Sequence, residues 1–140
     1  MRALPAGLLL VVALVLAAPA TAADPLRALR FFHSPSGNID CLVSPDSARC
    51  DIRLKSFRSP PRPARCDLDW GGALAVGKTS RRGSFACIGD TVRDPRARSL
   101  AYGRSIVAGS LRCTSRTDGV RCANHRGHGF LVGRTAYRLF

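Results

Sequence analysis

Cys41-Leu42-Val43-Ser44-Pro45-Asp46-Ser47-Ala48-Arg49-Cys50 sets two cysteines apart by eight residues, and Cys113-Thr114-Ser115-Arg116-Thr117-Asp118-Gly119-Val120-Arg121-Cys122 repeats the spacing. The first stretch is centred on Pro45-Asp46, the second on Thr117-Asp118 followed by Gly119. Pro presets φ for a turn, and Asp beside Gly suits turn backbone, so both centres read as hairpin turns. With a two-residue loop at Pro45-Asp46, Ser44 and Ser47 form the hydrogen-bonded pair next to the turn. Pair type alternates outward, and Cys41 lands opposite Cys50 at a non-hydrogen-bonded site, where Cα atoms lie about 4.5 Å apart. A disulfide tolerates that separation. The same count pairs Cys113 with Cys122, although Gly119 also suits a bulged turn that would slip this register by one residue. The leftover pair is Cys66 with Cys87. Six cysteines allow 15 connectivities, and spacing alone favours this one.

Outward from the cysteines, the sequence alternates. In Ala48-Arg49-Cys50-Asp51-Ile52-Arg53-Leu54, apolar residues and cysteine take even positions and charges take odd ones. Ala64-Arg65-Cys66-Asp67-Leu68-Asp69-Trp70 repeats the pattern, and Leu111-Arg112-Cys113 and Val120-Arg121-Cys122 follow it. Period-two alternation describes a strand with one buried and one wet face. Phe85-Ala86-Cys87-Ile88 is apolar on both faces and reads as a more central strand. With 37–44, 72–76, 105–107 and 130–132, the chain offers about eight or nine short strands separated by Gly, Pro or Asp. No segment keeps a helical period; 135–140 reads as one closing turn. The expected fold is all-β: a small disulfide-stabilised antiparallel β-sandwich or barrel built from hairpins. Trp70 closes an alternating strand on its inner face and reads as a core anchor. The matched hairpins hint at an internal duplication, but hairpin geometry alone makes two cystine hairpins look alike and is the favoured reading.

The N-terminus fits export. A short positive start, Met1-Arg2, precedes the apolar run from Leu8 to Ala18, and Ala20-Thr21-Ala22 supplies the small-x-small pattern of a signal-peptidase site. The run is shorter than the roughly 20 residues a spanning helix needs. Residues 1–23 are therefore expected to be a signal peptide, and residues 24–140 one secreted β domain without a transmembrane span. An even cysteine count in an exported chain reads as three disulfides. The expected location is extracellular or at the cell envelope.

Charge gives the main functional hint. The chain carries 22 basic residues against 9 acids, a formal net charge of +13 that becomes +12 when Arg2 leaves with the signal peptide. An excess this large favours polyanions, and outside a cell those are anionic envelope polymers, acidic glycans or released nucleic acid. Strand alternation turns Arg49, Arg65, Arg112 and Arg121 outward beside Asp51, Asp67 and Asp69, which neutralise part of the charge. The loops are less balanced. Arg58 and Arg62 in a Pro-rich loop, Arg81 and Arg82 in a tight turn, and Arg93, Arg96 and Arg98 in a third loop have only Asp94 nearby. These seven loop arginines are the expected polyanion contacts. Against this stands the composition: 20 of the 22 basic residues are Arg, every acid is Asp and Glu is absent. A GC-rich genome yields such a skew without selection for binding.

Catalytic chemistry finds little support. His33, His125 and His128 are the only histidines. His125 and His128 are three apart in a Gly-containing loop, unlike the helical spacing of a zinc site, and no C-x-x-C pair exists. Ser36, His128 and Asp90 make a hydrolytic triad only on paper, without a nucleophile motif. His33 and His128 beside Arg would suit a ribonuclease-like acid and base. No catalytic residue, metal site or cofactor is expected. The function read from the residues is an exported binding or interaction module. The alternatives are a small nuclease-like secreted hydrolase and a structural envelope protein.

Five stretches occur in one order: Phe32-His33-Ser34-Pro35-Ser36-Gly37-Asn38-Ile39-Asp40-Cys41, Gly89-Asp90-Thr91, Leu100-Ala101-Tyr102-Gly103, Gly119-Val120-Arg121-Cys122 and Gly127-His128-Gly129-Phe130. Together they resemble a family of small exported, disulfide-containing proteins of unknown function from high-GC Gram-positive (actinomycete-type) bacteria. The resemblance implies a complete domain and carries no catalytic or binding residues with it.

Overall fold

The computed structural model describes residues 28–140, so the expected signal peptide and the first residues after it lie outside the described residues. Among the described residues, eleven strands form two sheets. The first sheet takes β1 (Arg30–His33), β2 (Ile39–Val43), β3 (Ser47–Ile52), β4 (Ala73–Gly77), β5 (Ser84–Phe85) and β6 (Arg98–Ser99), in the order β5-β4-β3-β2-β1-β6. The second takes β7 (Ser105–Ala108), β8 (Leu111–Arg116), β9 (Gly119–Ala123), β10 (Gly129–Val132) and β11 (Tyr137–Leu139), in the order β11-β10-β9-β8-β7. All pairs are antiparallel except β1 with β6. The expected all-β sandwich is the observed fold.

Each hairpin behaves as its turn chemistry predicts. Ser44 N–H donates to Ser47 O at 2.8 Å, and Cys41 faces Cys50 with Cα atoms 4.1 Å apart. Cys113 faces Cys122 at the same 4.1 Å, with Arg116 opposite Gly119, so no bulge slips this register. Gly119 is required there for a different reason. Its φ is 141°, and a Cβ would sit 2.1 Å from the Val132 carbonyl oxygen. The third bridge is Cys66–Cys87.

The registers line up one inward row per sheet. Across the first run Phe32, Cys41, Cys50, Leu74 and Phe85; across the second run Ile106, Cys113, Cys122, Phe130 and Leu139. The two rows meet face to face, and Cys50 Sγ lies 3.7 Å from Cys122 Sγ, so one cystine rests on the other at the centre of the core. Individual Cα atoms of β3 come within 8 Å of β8 and β9, and those of β4 within 8 Å of β10. The likeness of the hairpins thus extends to two five-strand meanders.

Several expectations fail, each for a local reason. Residues 64–70 form no strand, only a bridge between Asp69 and Ile88. Pro60, Pro61 and Pro63 upstream offer no N–H for a ladder, and the segment instead carries Cys66 to Cys87. Phe85–Ile88 is not central: the strand stops at Phe85 on the sheet edge, and Cys87 is exposed. Leu54, expected inward, is exposed because β3 ends at Ile52 and Asn38 takes the Leu54 backbone, donating to its carbonyl at 2.8 Å and accepting from its N–H at 2.9 Å. Residues 137–139 form edge strand β11 instead of a helical turn, paired to β10. Strands β1 and β6 are additional to the expected set.

The long connection between β3 and β4 is pinned rather than free. Ser56 N–H donates to Arg134 O at 2.8 Å, Ser59 Oγ to Gly71 O at 2.8 Å, and Trp70 Nε1 to Pro60 O at 2.8 Å. The rings of Phe57, Tyr137, Phe85 and Trp70 follow one another at centroid distances of 5.0, 4.8 and 5.9 Å. Trp70 anchors this aromatic run at the border of the core, as expected.

Candidate anion-binding surface

The two outer sheet faces carry opposite electrostatic arrangements. On the six-stranded sheet, Asp40 lies opposite Asp51, and Arg49 stands two residues before Asp51 on β3. Arg49 Nε donates to Asp51 at 2.8 Å and Nη1 to Asp90 at 2.7 Å. Partial burial works against the Arg49 charge, but hydrogen bonds to Asp51 and Asp90 outweigh it and raise its pKa. The hydrogen bond from Arg49 holds the Asp90 carboxyl below the ordinary carboxylate range. Val92, 5% exposed, brings its loop down onto this face and donates its N–H to Asp51 at 3.1 Å. Cations here are matched and partly covered.

The five-stranded sheet has almost no acid. Residues 104–140 contain seven arginines and one acid, Asp118. With Cys113, Cys122 and Phe130 inward, Arg112, Thr114 and Arg116 of β8, Arg121 of β9, Leu131 of β10 and Arg138 of β11 take the outer face. Arg121, Leu131 and Arg138 share one cross-strand row. The guanidiniums of Arg121 and Arg138 lie 4.6 and 5.7 Å from the Phe140 ring centre. One aromatic face thus steadies two cations, each contact worth about 0.5–1 kcal/mol at an exposed site. Asp118 is taken by Arg116 at 2.8 Å; that hydrogen bond lowers the Asp118 pKa and raises that of Arg116. Among the described residues, Arg112, Arg121 and Arg138 make no ion pair, although the charge of Arg138 adds to the lowering at Asp118.

The seven expected loop arginines are not brought together. Arg81 and Arg82 precede β5 and Arg93, Arg96 and Arg98 precede or enter β6, at opposite edges of the six-stranded sheet. At about 4.8 Å per strand those edges stand roughly 24 Å apart. Arg58 and Arg62 project from the pinned β3–β4 connection, and Arg96 lies 3.5 Å from Asp94. Arg82 and Arg65 border a shallow cleft of about 500 Å³ beside Trp70. Alternation in the sequence turns Arg112 and Arg121 outward; Arg116 lies past the Leu111-Arg112-Cys113 stretch where that alternation is evident, and Arg138 and Phe140 lie in 135–140, which reads as a turn and not a strand.

The outer face runs into a larger cleft, about 850 Å³, at one end of the sandwich. Its walls are the 34–39 loop, Arg53 and Leu54, Tyr102, the 116–119 turn and the 133–138 segment. The histidines are not assembled. His33 sits at this end with Nδ1 2.9 Å from Ser34 O, whereas His128 lies in the β9–β10 turn, which Asn124 ties to Gly77 and Ser80 at the other end. Ser36 is at the first end and Asp90 is held by Arg49, so the paper triad has no common location. Among the described residues, no three His, Cys, Asp or Glu side chains are grouped to hold a metal, and no helix is long and apolar enough to cross a membrane.

A family described as "Family of unknown function (DUF6636)" matches residues 8–140. The chain belongs to that family. The DUF6636 match takes in both sheets, all three disulfides and the arginine face. No curated protein and no solved structure matches the chain.

Proposed function

We propose that this DUF6636 protein is an exported module that binds polyanions, such as envelope polymers or acidic glycans, at or outside the cell envelope. One observation carries the proposal: four arginines on a single open sheet face, with Asp118 the only acid in the second sheet. Arg112 and Arg116, four residues apart on β8, span about 14 Å, and Arg121 and Arg138, two strands apart, about 10 Å. That spread suits the repeating charges of a polymer better than a single ion. Disulfides support export, because they persist in oxidising compartments. The loop arginines Arg58, Arg62, Arg81, Arg82, Arg93, Arg96 and Arg98 offer a second location, and they serve as the matched control.

The experiment measures affinity for heparin and for single-stranded DNA across a salt series. With about four charges engaged, raising salt from 50 to 200 mM weakens binding about 50- to 150-fold by counterion release. Arg112→Ser with Arg121→Ser flattens the log–log slope by about 0.7–0.9 per arginine lost. Arg81→Ser with Arg82→Ser leaves the slope nearly unchanged. Absence of binding near physiological salt returns the charge to composition alone, and loss confined to loop variants moves the site to the loops.

A further inference from the structure

We infer that the 850 Å³ cleft at the end of the sandwich is a pocket for one sugar ring bearing an oxyanion, the point at which an acidic glycan lying on the arginine face is gripped. The inference rests on the polyanion reading and adds to it a defined ligand class and place.

The cleft has the volume of a small-molecule site, which commonly runs about 300–1,000 Å³. Four cations from three separate regions border it, Arg53 after β3, Arg116 on β8, and Arg134 and Arg138 around β11, and one acid, Asp118, lines it as the partner of Arg116. Arg116 and Arg138 belong also to the open sheet face, so cleft and face are continuous. Among the described residues Arg134 makes no ion pair, while Arg53 leans on the buried Asp40 carboxylate at 3.7 Å. A guanidinium fork matches the paired oxygens of carboxylate, sulfate or phosphate.

Cations alone would describe only another basic patch. The same cleft also collects Leu54 and Tyr102, 61% and 52% exposed, two of the four large hydrophobic side chains left exposed among the described residues. An inorganic ion gains nothing from apolar walls, and a neutral sugar accepts hydrogen bonds from arginines but leaves their charge without a matching anion. A ring with an oxyanion uses both, its C–H face on the tyrosine and its charge on the forks.

The wall made by residues 34–39, Arg53 and Leu54 is set before any ligand arrives. Ser34 N–H donates to Ile39 O at 2.8 Å, Gly37 N–H to Ser34 O at 2.8 Å, and Ser34 Oγ accepts from Ile39 N–H at 3.1 Å. Asn38 clamps the Leu54 backbone from both sides, and Arg53 N–H donates to Asn38 O at 3.0 Å. A fixed wall spares the ordering cost that weakens binding to loose loops.

The test titrates the full mature protein, followed by amide shifts, with four probes: glucuronic acid, glucose 6-phosphate, glucose and inorganic phosphate. The two acidic sugars saturate the signals of Asn38, Leu54, Tyr102 and Arg134, and glucose and phosphate bind at least tenfold more weakly. Tyr102→Ala and Arg134→Ser each weaken the acidic sugars at least fivefold with an unchanged melting curve. Phosphate binding as tightly as glucose 6-phosphate removes the ring from the inference and overturns it. Equal binding of glucose removes the anion and overturns it too, as does no saturable binding. Heparin separates the two levels: retained heparin binding through Arg112 and Arg121 without acidic-sugar binding sinks the pocket and leaves the polyanion reading standing. Acidic-sugar binding without heparin binding does the reverse.

Discussion

Replacing Cys41 and Cys50 together with alanine removes half of the stacked cystine pair at the centre of the core. The bridge closes a loop with a sequence separation of 9. The chain-entropy relation gives about 2.6 kcal/mol at 25 °C for that loop. Both sulfurs are fully buried, and Cys50 touches Cys122, so the void adds about 1 kcal/mol per side. The expected loss is about 4–5 kcal/mol, a large share of the 5–15 kcal/mol typical of a domain. Cys66→Ala with Cys87→Ala opens a longer loop, separation 21, for which the same relation gives about 3.3 kcal/mol. That bridge, however, lies outside the central core cluster, and although Cys66 is buried, Cys87 is exposed. Once it is cut, a void forms on the Cys66 side alone and no second cystine loses its neighbour, so the loss stays at about 3–4 kcal/mol, below that of the core bridge. Urea unfolding of both variants against wild type gives the comparison. Loop length alone ranks the Cys66–Cys87 bridge first; packing ranks Cys41–Cys50 first. Equal losses, or a larger one for the loop bridge, refute the packing argument.

Gly129→Ala places a Cβ 1.9 Å from the Cys122 carbonyl oxygen, so soluble folded yield collapses. Gly127→Ala has open space and only a strained φ of 81°, so it costs about 1–2 kcal/mol in the same urea assay. The carboxyls of Asp90 and Asp118 are held below their ordinary range, by Arg49 and Arg116 respectively, so they stabilise the fold above the unfolded carboxylate value of about 3.9. This contribution disappears as pH falls through the lowered folded values. Melting temperature therefore stays level from about pH 5 to 7 and drops below about pH 4, and Asp90→Asn reduces the drop. An equal drop in that variant removes Asp90 from the account.

What the sequence made legible is what short range decides. The cystine hairpins follow from turn residues and a count of positions between Cys41 and Cys50, and again between Cys113 and Cys122. The strand expected at 64–70 is absent because alternation near a cysteine looks the same whether the residue joins a ladder or merely reaches a bridge, and that at 85–88 stops at Phe85 because a short apolar run looks the same at a sheet's centre and at its edge. Arg30-Phe31-Phe32-His33 has two adjacent apolar residues and no alternation, so β1 shows itself only through its pairing with β2. The site is harder still. Arg112 and Arg121 face outward by local alternation, but Arg138 and Phe140 join them only because β11 pairs with β10, a partnership that local pattern does not carry. The scarcity of acids in residues 104–140, where Asp118 stands alone, is plain in the sequence, and it becomes a surface property only when those residues prove to be one sheet.

The most direct measurement is a titration of the protein with a sulfated heparin oligosaccharide, following arginine Nε–Hε and backbone amide shifts at two salt concentrations. The account predicts that the largest, salt-sensitive shifts fall on Arg112, Arg116, Arg121 and Arg138, extending to Arg134 at the cleft. Shifts centred on Arg81 and Arg82 or on Arg93, Arg96 and Arg98, or no shifts at physiological salt, contradict it.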